Sequence, residues 1–553
     1  MPPIAPLDRS RSTTPAQSQP TTSTPQRTTA ATTGGPSQTT ARDAAREQLP
    51  PPLRENVLAR PFDNNMLRAK LAAPPLSQVN SLVMSGKAVT REGLEAAHIA
   101  DLVARIDISV TRTTLERQNR AADAEQEAHL QAQLREAAGA IATVDLGAMR
   151  RNYRAGVAKL GDNVTPTAVI KANGYGLGAT KLAQVLIEEG CKDFFVARIG
   201  EAVDLRKSLR ARFPEMADKV AINVLDGNLA GADPQLLIDH KITPVLNSLQ
   251  QVKEWNAAAR ERRTALPAIL QFDSGMHRAG MPNEDLEALL ADQKANMGSI
   301  KPQFIMTHLA KSDDATKRPD GTFQAGEATE QQLANFKAIT ARFPFVKASI
   351  GASSTVLLDP KFHMDYVRLG GTFHAQDPID GADNPYQQVL TLKSKIAQVR
   401  TVPPGGEIGY GGRFIATRPT DVATIPIGYA DGPPRAPNGN PADGKESPVH
   451  VIIKARDEAG RDVSFKCPMI GATSMDMSTI DVTHVPEKYR HAGAEVTLMG
   501  DGITPNDFGG MYGTNPSETQ TKLSPRIFME YKESADVPKR PLDTAASANA
   551  WAA

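Results

Sequence analysis

The chain is poor in cysteine, with only Cys191 and Cys467 among 553 residues. Two thiols cannot staple a small secreted scaffold, so a reducing, cytoplasmic setting is the expectation. It has no apolar run near the roughly 20 residues that cross a bilayer. Its opening, MPPIAPLDRS, has no apolar stretch behind a basic start, so no secretory signal is predicted. Excess charge of one sign is also missing: 63 Lys and Arg stand against 62 Asp and Glu. That balance argues against a dedicated nucleic-acid binder or a polybasic membrane-surface protein. Aromatic residues are nearly absent from the front of the chain. Of 27 Phe, Tyr and Trp, only Phe62 lies within the first 150 positions. The side chains that build cores are therefore concentrated behind them.

Twenty-nine of the first 50 residues are Ser, Thr, Pro or Gln. Such a stretch buries too little to offset the entropy of ordering, so residues 1 to about 55 are predicted to be disordered. Residues 56–112 read as a linker with short helices. Residues 113–140, rich in helix formers but with only Leu115, Leu130 and Leu134 as large apolar residues, read as a solvated helical lead-in. From about 141 the pattern changes. After IATVDL and a helix, eight strand candidates follow in order: TAVIKA, DFFVA, KVAINVL, ITPVLN, PAILQFD, QFIMTHL, VKASIG and YVRLGG, with helices or short connections between most of them. Eight alternating units predict an α/β fold, a (β/α)8 barrel, with a doubly wound open sheet as the alternative. From about 386, short strands recur between Gly/Pro turns and predict a mostly β second domain. The organisation reads as a leader over 1–140, a barrel over 141–385, a β-rich domain over 386–535 and a flexible tail over 536–553.

In a barrel the chemistry sits at the C-terminal ends of the strands. The first of the eight strands ends AVIKANGYGLG. Lys171 follows an apolar run, and desolvation there would lower its pKa and free the amine for Schiff-base chemistry. The equally open reading is a strand-end lysine reaching water before an ordinary glycine turn. Gly174, Gly176 and Gly178 allow a tight turn and close approach to a ligand, and they do not form the G-x-G-x-x-G of a dinucleotide site. No His/Cys/Asp/Glu spacing suggests a metal.

The string AVIKANGYGLGA resembles the pyridoxal-phosphate attachment motif of alanine racemases. Further motifs follow in that family's order: DSGMHRAG (273–280), MTHLAKSDD (306–314), IGASSTV (350–356), VRLGG (367–371), GYGGRF (409–414), IPIGYADGPPR (425–435), MIGATSMDMSTIDVT (469–483) and KLSPRIFMEY (522–531). The resemblance covers about 141–535. It implies a fold type III pyridoxal-phosphate enzyme that interconverts L- and D-alanine, a homodimer with shared active sites, and a source of D-alanine for the cell wall. Lys171 would hold the cofactor and serve one face of the substrate. Tyr410, reaching in from a second copy, would serve the other. Tyr175, Ser353, Gly370 and Gly371 would lie at the phosphate. Arg368 would face the pyridine nitrogen, with His308 supporting that network. Arg278, Tyr429, Met475 and Asp476 would face the substrate.

Several positions depart from the family's pattern. Gln271 stands where a carbamylated lysine is common, and it could still hydrogen-bond Arg278. Leu177, Ala352, the LGGTFHAQDP stretch after Arg368, and Pro525 also differ. These changes bear on substrate choice more than on reaction type. The alternatives are a broad-specificity racemase of the same fold and a non-catalytic pyridoxal-phosphate-binding barrel. Tyr410 and the SMD element count against the second. A fold-related decarboxylase would show a catalytic cysteine, which Cys467 does not match. The leader's composition suits a linker, with a secreted bacterial effector as the alternative.

Overall fold

The structure, a computed structural model, describes residues 124–435, 447–533 and 537. The disorder predicted for the leader, the linker over 56–112 and nearly all of the tail lie outside those residues. The lead-in is met where it is described. Residues 124–137 form a helix that is exposed along its whole length, including Leu130 and Leu134.

The eight predicted strands are present and close a parallel barrel. They are β2 (Thr165–Val169), β3 (Asp193–Val196), β4 (Ala221–Val224), β5 (Ile242–Leu246), β6 (Leu266–Gln271), β7 (Ile300–Met306), the VKASIG segment and β12 (Tyr366–Leu369). A small hairpin, β8 (Ala315–Lys317) with β9 (Phe323–Ala325), is inserted after β7. VKASIG is split by Ile350 into β10 (Ala348–Ser349), which pairs with β7, and β11 (Gly351–Ala352), which pairs with β12. Pairing of β12 with β2 completes the ring. The central strands are buried on both faces, β5 and β6 at every residue. That explains their continuous apolar spelling. Phe195, Val245, Ile269, Phe304 and Met306 pack together inside the barrel, while their strand neighbours join the core beneath the helices. The floor is tied by Arg206, on the helix Ile199–Arg212. Its buried guanidinium donates to the carbonyls of Ala217, Val220, His240 and Lys241.

The second sheet contains β13 (Leu390–Lys395), β14 (Gln398–Val402), β17 (Thr420–Ile425), β18 (His450–Arg456), β19 (Asp462–Ile470), β20 (Ser478–Asp481), β21 (Glu495–Met499) and β22 (Phe528–Lys532). It also takes a strand from ahead of the barrel. β1 (Ala140–Asp145), the IATVDL segment, lies between β13, antiparallel, and β22, parallel. The segment YQQVLTLKSKIAQVRTV, which reads as one strand, breaks at Ile396–Ala397. Before the break it pairs with β21 and after it with β17. A separate hairpin, β15 (Glu407–Ile408) with β16 (Phe414–Ile415), rests on a small core of Ile408, Phe414, Val422 and Ile470. Two short helices, Pro505–Met511 and Pro516–Thr521, escaped the pattern reading. Both have proline in the first turn and a side-chain cap, from Thr504 and Asn515, so a capping search would have found them.

Candidate active site

A cavity of about 510 Å³ opens at the C-terminal ends of the barrel strands, within the size range of small-molecule sites. Lys171, Tyr175, Gln271, Arg278, His308, Ser353, Arg368, Gly370 and Gly371 all line it. Eight of these nine are barrel positions named above as site residues, and the ninth is the departure at 271. Sequence reading missed Asp226, Asp313 and Asp377, which also face the cavity. Asp226 closes the turn after β4, where the strand-end rule could have pointed to it.

Lys171 leaves β2 and enters a left-handed turn: Ala172, Asn173, Gly174 and Tyr175 have φ of 52°, 54°, 65° and 54°. Left-handed backbone is costly for residues with a Cβ and persists where surroundings enforce it. Here Asn173 accepts from Ala179 N–H at 3.0 Å through its side chain and from Gly178 N–H at 2.8 Å through its carbonyl. Burial lowers the Lys171 pKa, and the Arg278 charge adds to it, against the pull of Glu201 and Asp226. Two of the glycines after the lysine, Gly176 and Gly178, serve a different neighbour from the ligand expected. A Cβ on Gly176 would overlap the Gln520 carbonyl, and one on Gly178 would overlap the Tyr531 hydroxyl. They let the second domain pack against the turn. Leu177, in place of a common histidine, is fully buried there, and its carbonyl accepts from Tyr531 at 3.0 Å.

Opposite the lysine, Ser353 Oγ accepts from the N–H groups of Gly370 (2.9 Å) and Thr372 (3.2 Å). This holds the hydroxyl over a cradle that a side chain would fill, since a Cβ on Gly370 would lie 2.8 Å from Tyr175 Oη. Burial pushes the Tyr175 phenol up to about 12, so it stays protonated and able to donate. An amine at one end, and hydroxyls beside an open glycine cradle at the other, fit an aldehyde cofactor with a phosphate tail. Between them, buried Arg368 donates to the Ser349 hydroxyl, to Ser349 O at 3.2 Å and to Thr307 O at 2.6 Å. His308 Nδ1 lies 3.5 Å from Arg368 Nη2. Burial, then the Arg368, Arg278 and Lys171 charges, drive the His308 pKa down to about 3. A neutral ring can accept from the guanidinium. Burial also lowers Arg368, to about 10, which leaves it charged at neutral pH.

Gln271 does not hydrogen-bond Arg278, contrary to the expectation. Its amide donates to Ala279 O at 3.3 Å. Among the described residues, nothing hydrogen-bonds the Arg278 guanidinium. The other four predicted residues, Tyr410, Tyr429, Met475 and Asp476, lie outside this cavity, on the second domain. Tyr410 stands at the tip of the β15–β16 hairpin and is 71% exposed. With Tyr429 it lines a separate cleft of about 510 Å³. The Tyr429 and Ala430 N–H groups donate to Ser474 O and Met475 O. The Asp476 carboxylate is engaged by Arg526 at 2.7 Å. Tyr429, Met475 and Met477 are each at least 43% exposed, so this domain, like Tyr410 itself, presents large apolar side chains to its surface.

His374, in the stretch that departs from the family pattern, lies against Tyr175 with ring centroids 4.5 Å apart and planes tilted by 43°. It is fully buried, and neither ring nitrogen has a partner among the described residues. Burial drives its pKa to about 3. The folded state thus resists protonating His374 and His308, whereas the unfolded chain takes protons near pH 6.5. Their contribution to stability is complete above about pH 6.5 and is lost as the pH falls towards 3. His374→Phe keeps a ring against Tyr175 and removes one of these protons. Urea midpoints measured from pH 7 to 4 should fall less steeply for the variant, by up to about one proton's worth of slope. An unchanged slope would show that His374 does not titrate with unfolding.

A closed α/β barrel, a lysine at the first strand end sharing one cavity with an open glycine cradle, and a trailing β domain together fit an enzyme that holds pyridoxal phosphate. The comparisons with known proteins agree. The family pattern described as alanine racemase, N-terminal domain, matches residues 144–377, and that described as alanine racemase, C-terminal domain, matches 389–531. The catabolic alanine racemase of Mesorhizobium japonicum is 36% identical over 395 residues, covering 71% of this chain and 94% of that one. The alanine racemase of Rhodospirillum rubrum is 37% identical, covering 71% and 96%. The crystal structure of alanine racemase from Bartonella henselae with covalently bound pyridoxal phosphate superposes with a TM-score of 0.62 at 31% identity, over 71% of this chain and 99% of that one. The chain belongs to the alanine racemase family and is an amino-acid racemase.

Proposed function

We propose that this racemase interconverts L- and D-alanine with pyridoxal phosphate held on Lys171. In this reading Lys171 and Tyr410 of a second copy exchange the substrate's α-proton on opposite faces. The observation that carries the cofactor's placement is the single cavity that joins Lys171 to the Ser353–Gly370 cradle. Pyridoxal phosphate, when bound, supplies an electron sink for the charge left on the α-carbon. Lys171, with its lowered pKa, takes or returns a proton at Nζ. Ser353 and Tyr175 would hold the phosphate. Arg368 would present a charged guanidinium to the ring nitrogen and, giving up its proton reluctantly, would not protonate it. Arg278 attracts the substrate carboxylate.

Homodimerisation is supported by the separation of the two bases within one chain. Lys171 and Tyr410 line different clefts, and the exposed surface around Tyr410, Tyr429 and Met475 suits a lid on the barrel mouth of another copy. Mixing Lys171→Ala and Tyr410→Phe subunits tests this. A mixed dimer has one site with both bases and should regain activity that neither parent shows. No recovery after verified subunit exchange would rule out shared sites. Cys191 and Cys467 are buried and unpaired, which supports a reducing, cytoplasmic setting. Among the described residues no helix is long and apolar enough to cross a membrane.

A further inference from the structure

We propose that Asp273 is a positioning residue for Arg278, acting through the backbone of the 273–280 loop. The inference rests on the reading of Arg278 as the substrate-carboxylate residue. The loop is closed at its base, where Phe272 bridges Met281, Asp273 N–H donates to Met281 O at 2.9 Å and Met281 N–H donates to Gln271 O at 2.8 Å. It is held from below by the helix Glu327–Thr340, whose Asn335 amide donates to Ser274 O at 2.9 Å. Its crown is organised by one carboxylate. Asp273 Oδ1 accepts from the N–H groups of Gly275 (2.9 Å), Met276 (2.9 Å) and His277 (3.1 Å). Oδ2 accepts from His277 N–H at 3.1 Å and lies 3.0 Å from His277 Nδ1.

These bonds hold His277 at φ 57°, a left-handed conformation that a residue with a Cβ adopts only under constraint. The very next residue is Arg278. Its guanidinium has no hydrogen-bond partner among the described residues, and Gln271 is turned to Ala279 O instead. The direction of Arg278 is therefore set by the backbone that precedes it, and that backbone is set by Asp273. The same charge also reaches Lys171 and His308, so a displaced Arg278 would be felt across the cavity.

The test compares Asp273→Ala, Asp273→Asn and Arg278→Ala in the cofactor-loaded enzyme with alanine as substrate. Asp273→Ala removes every acceptor and should raise KM and lower kcat/KM by about 10- to 100-fold, the scale of a positioning error near 1 Å. Asp273→Asn keeps an oxygen for the three N–H groups and should recover most of that loss. Asp273→Ala combined with Arg278→Ala should be no worse than Arg278→Ala alone. Unchanged KM and kcat in Asp273→Ala, with Arg278→Ala impaired, would overturn the positioning role and leave the reading of Arg278 standing. Unchanged kinetics in Arg278→Ala would remove that reading and the positioning role together. If Asp273→Ala loses its cofactor's visible absorbance, Asp273→Ser, which keeps only one short acceptor, takes its place. A raised KM in Asp273→Ser that Asp273→Asn recovers supports the role, whereas an unchanged KM in Asp273→Ser with Arg278→Ala impaired overturns it.

Discussion

Lys171→Ala should lose racemisation by about 10⁴-fold or more, the upper range for removing a positioned acid–base group, because the covalent anchor for the cofactor goes with it. The expectation follows from the environment of the amine. Burial and the Arg278 charge depress its pKa, so a larger share is neutral and nucleophilic near pH 7 than for an exposed lysine. The left-handed turn that follows offers no second lysine. Alanine leaves the turn's own hydrogen bonds intact, since these run between backbone groups and Asn173. The variant should fold, show no lysine-bound cofactor band in its visible spectrum and release pyridoxal phosphate on dialysis. Enantiomer-specific detection of alanine gives the rate. Activity within tenfold of the parent would remove Lys171 from both roles.

Tyr410→Phe carries the second-largest effect. Removing one hydroxyl that transfers a proton in the transition state should lower racemisation by about 10²- to 10⁴-fold in both directions. The ring is 71% exposed on a glycine-flanked hairpin tip, so its loss of a hydroxyl should leave the folding midpoint unchanged within about 0.5 kcal/mol. The informative readout is exchange of the α-proton with deuterated solvent. With Lys171 intact, one enantiomer should still exchange while the other nearly stops. Wild-type rates in both directions would leave Tyr410 as a surface aromatic and remove the two-base assignment.

Much of the barrel was legible because parallel strands buried on both faces must be spelled as apolar runs, and eight of them stood in order. The barrel-borne site residues were legible for a related reason. Strand ends are the one place where a polar side chain can leave an apolar run and face a cavity, which is where Lys171, His308 and Arg368 stand. Other features depended on distant partners. β1 reads like a barrel strand, yet it pairs with segments some 250 and 390 residues away in the chain. The glycines after Lys171 spell a ligand turn, yet the atoms that approach Gly176 and Gly178 belong to Gln520 and Tyr531. Gln271 is positioned to reach Arg278 in sequence and bonds a backbone carbonyl in space.

The sequence alone determined the kind of enzyme: the scarcity of aromatics at the front set off the leader, strand periodicity specified the barrel, and ordered motifs named the family. Tertiary structure alone decided which of those motifs share a cavity. It gathered the barrel residues around Lys171 and left Tyr410, Tyr429, Met475 and Asp476 on another surface. The physical reason is that local spelling records which face of an element is buried. Which side chains meet is settled by strand pairing and domain packing, whose partners lie hundreds of residues apart.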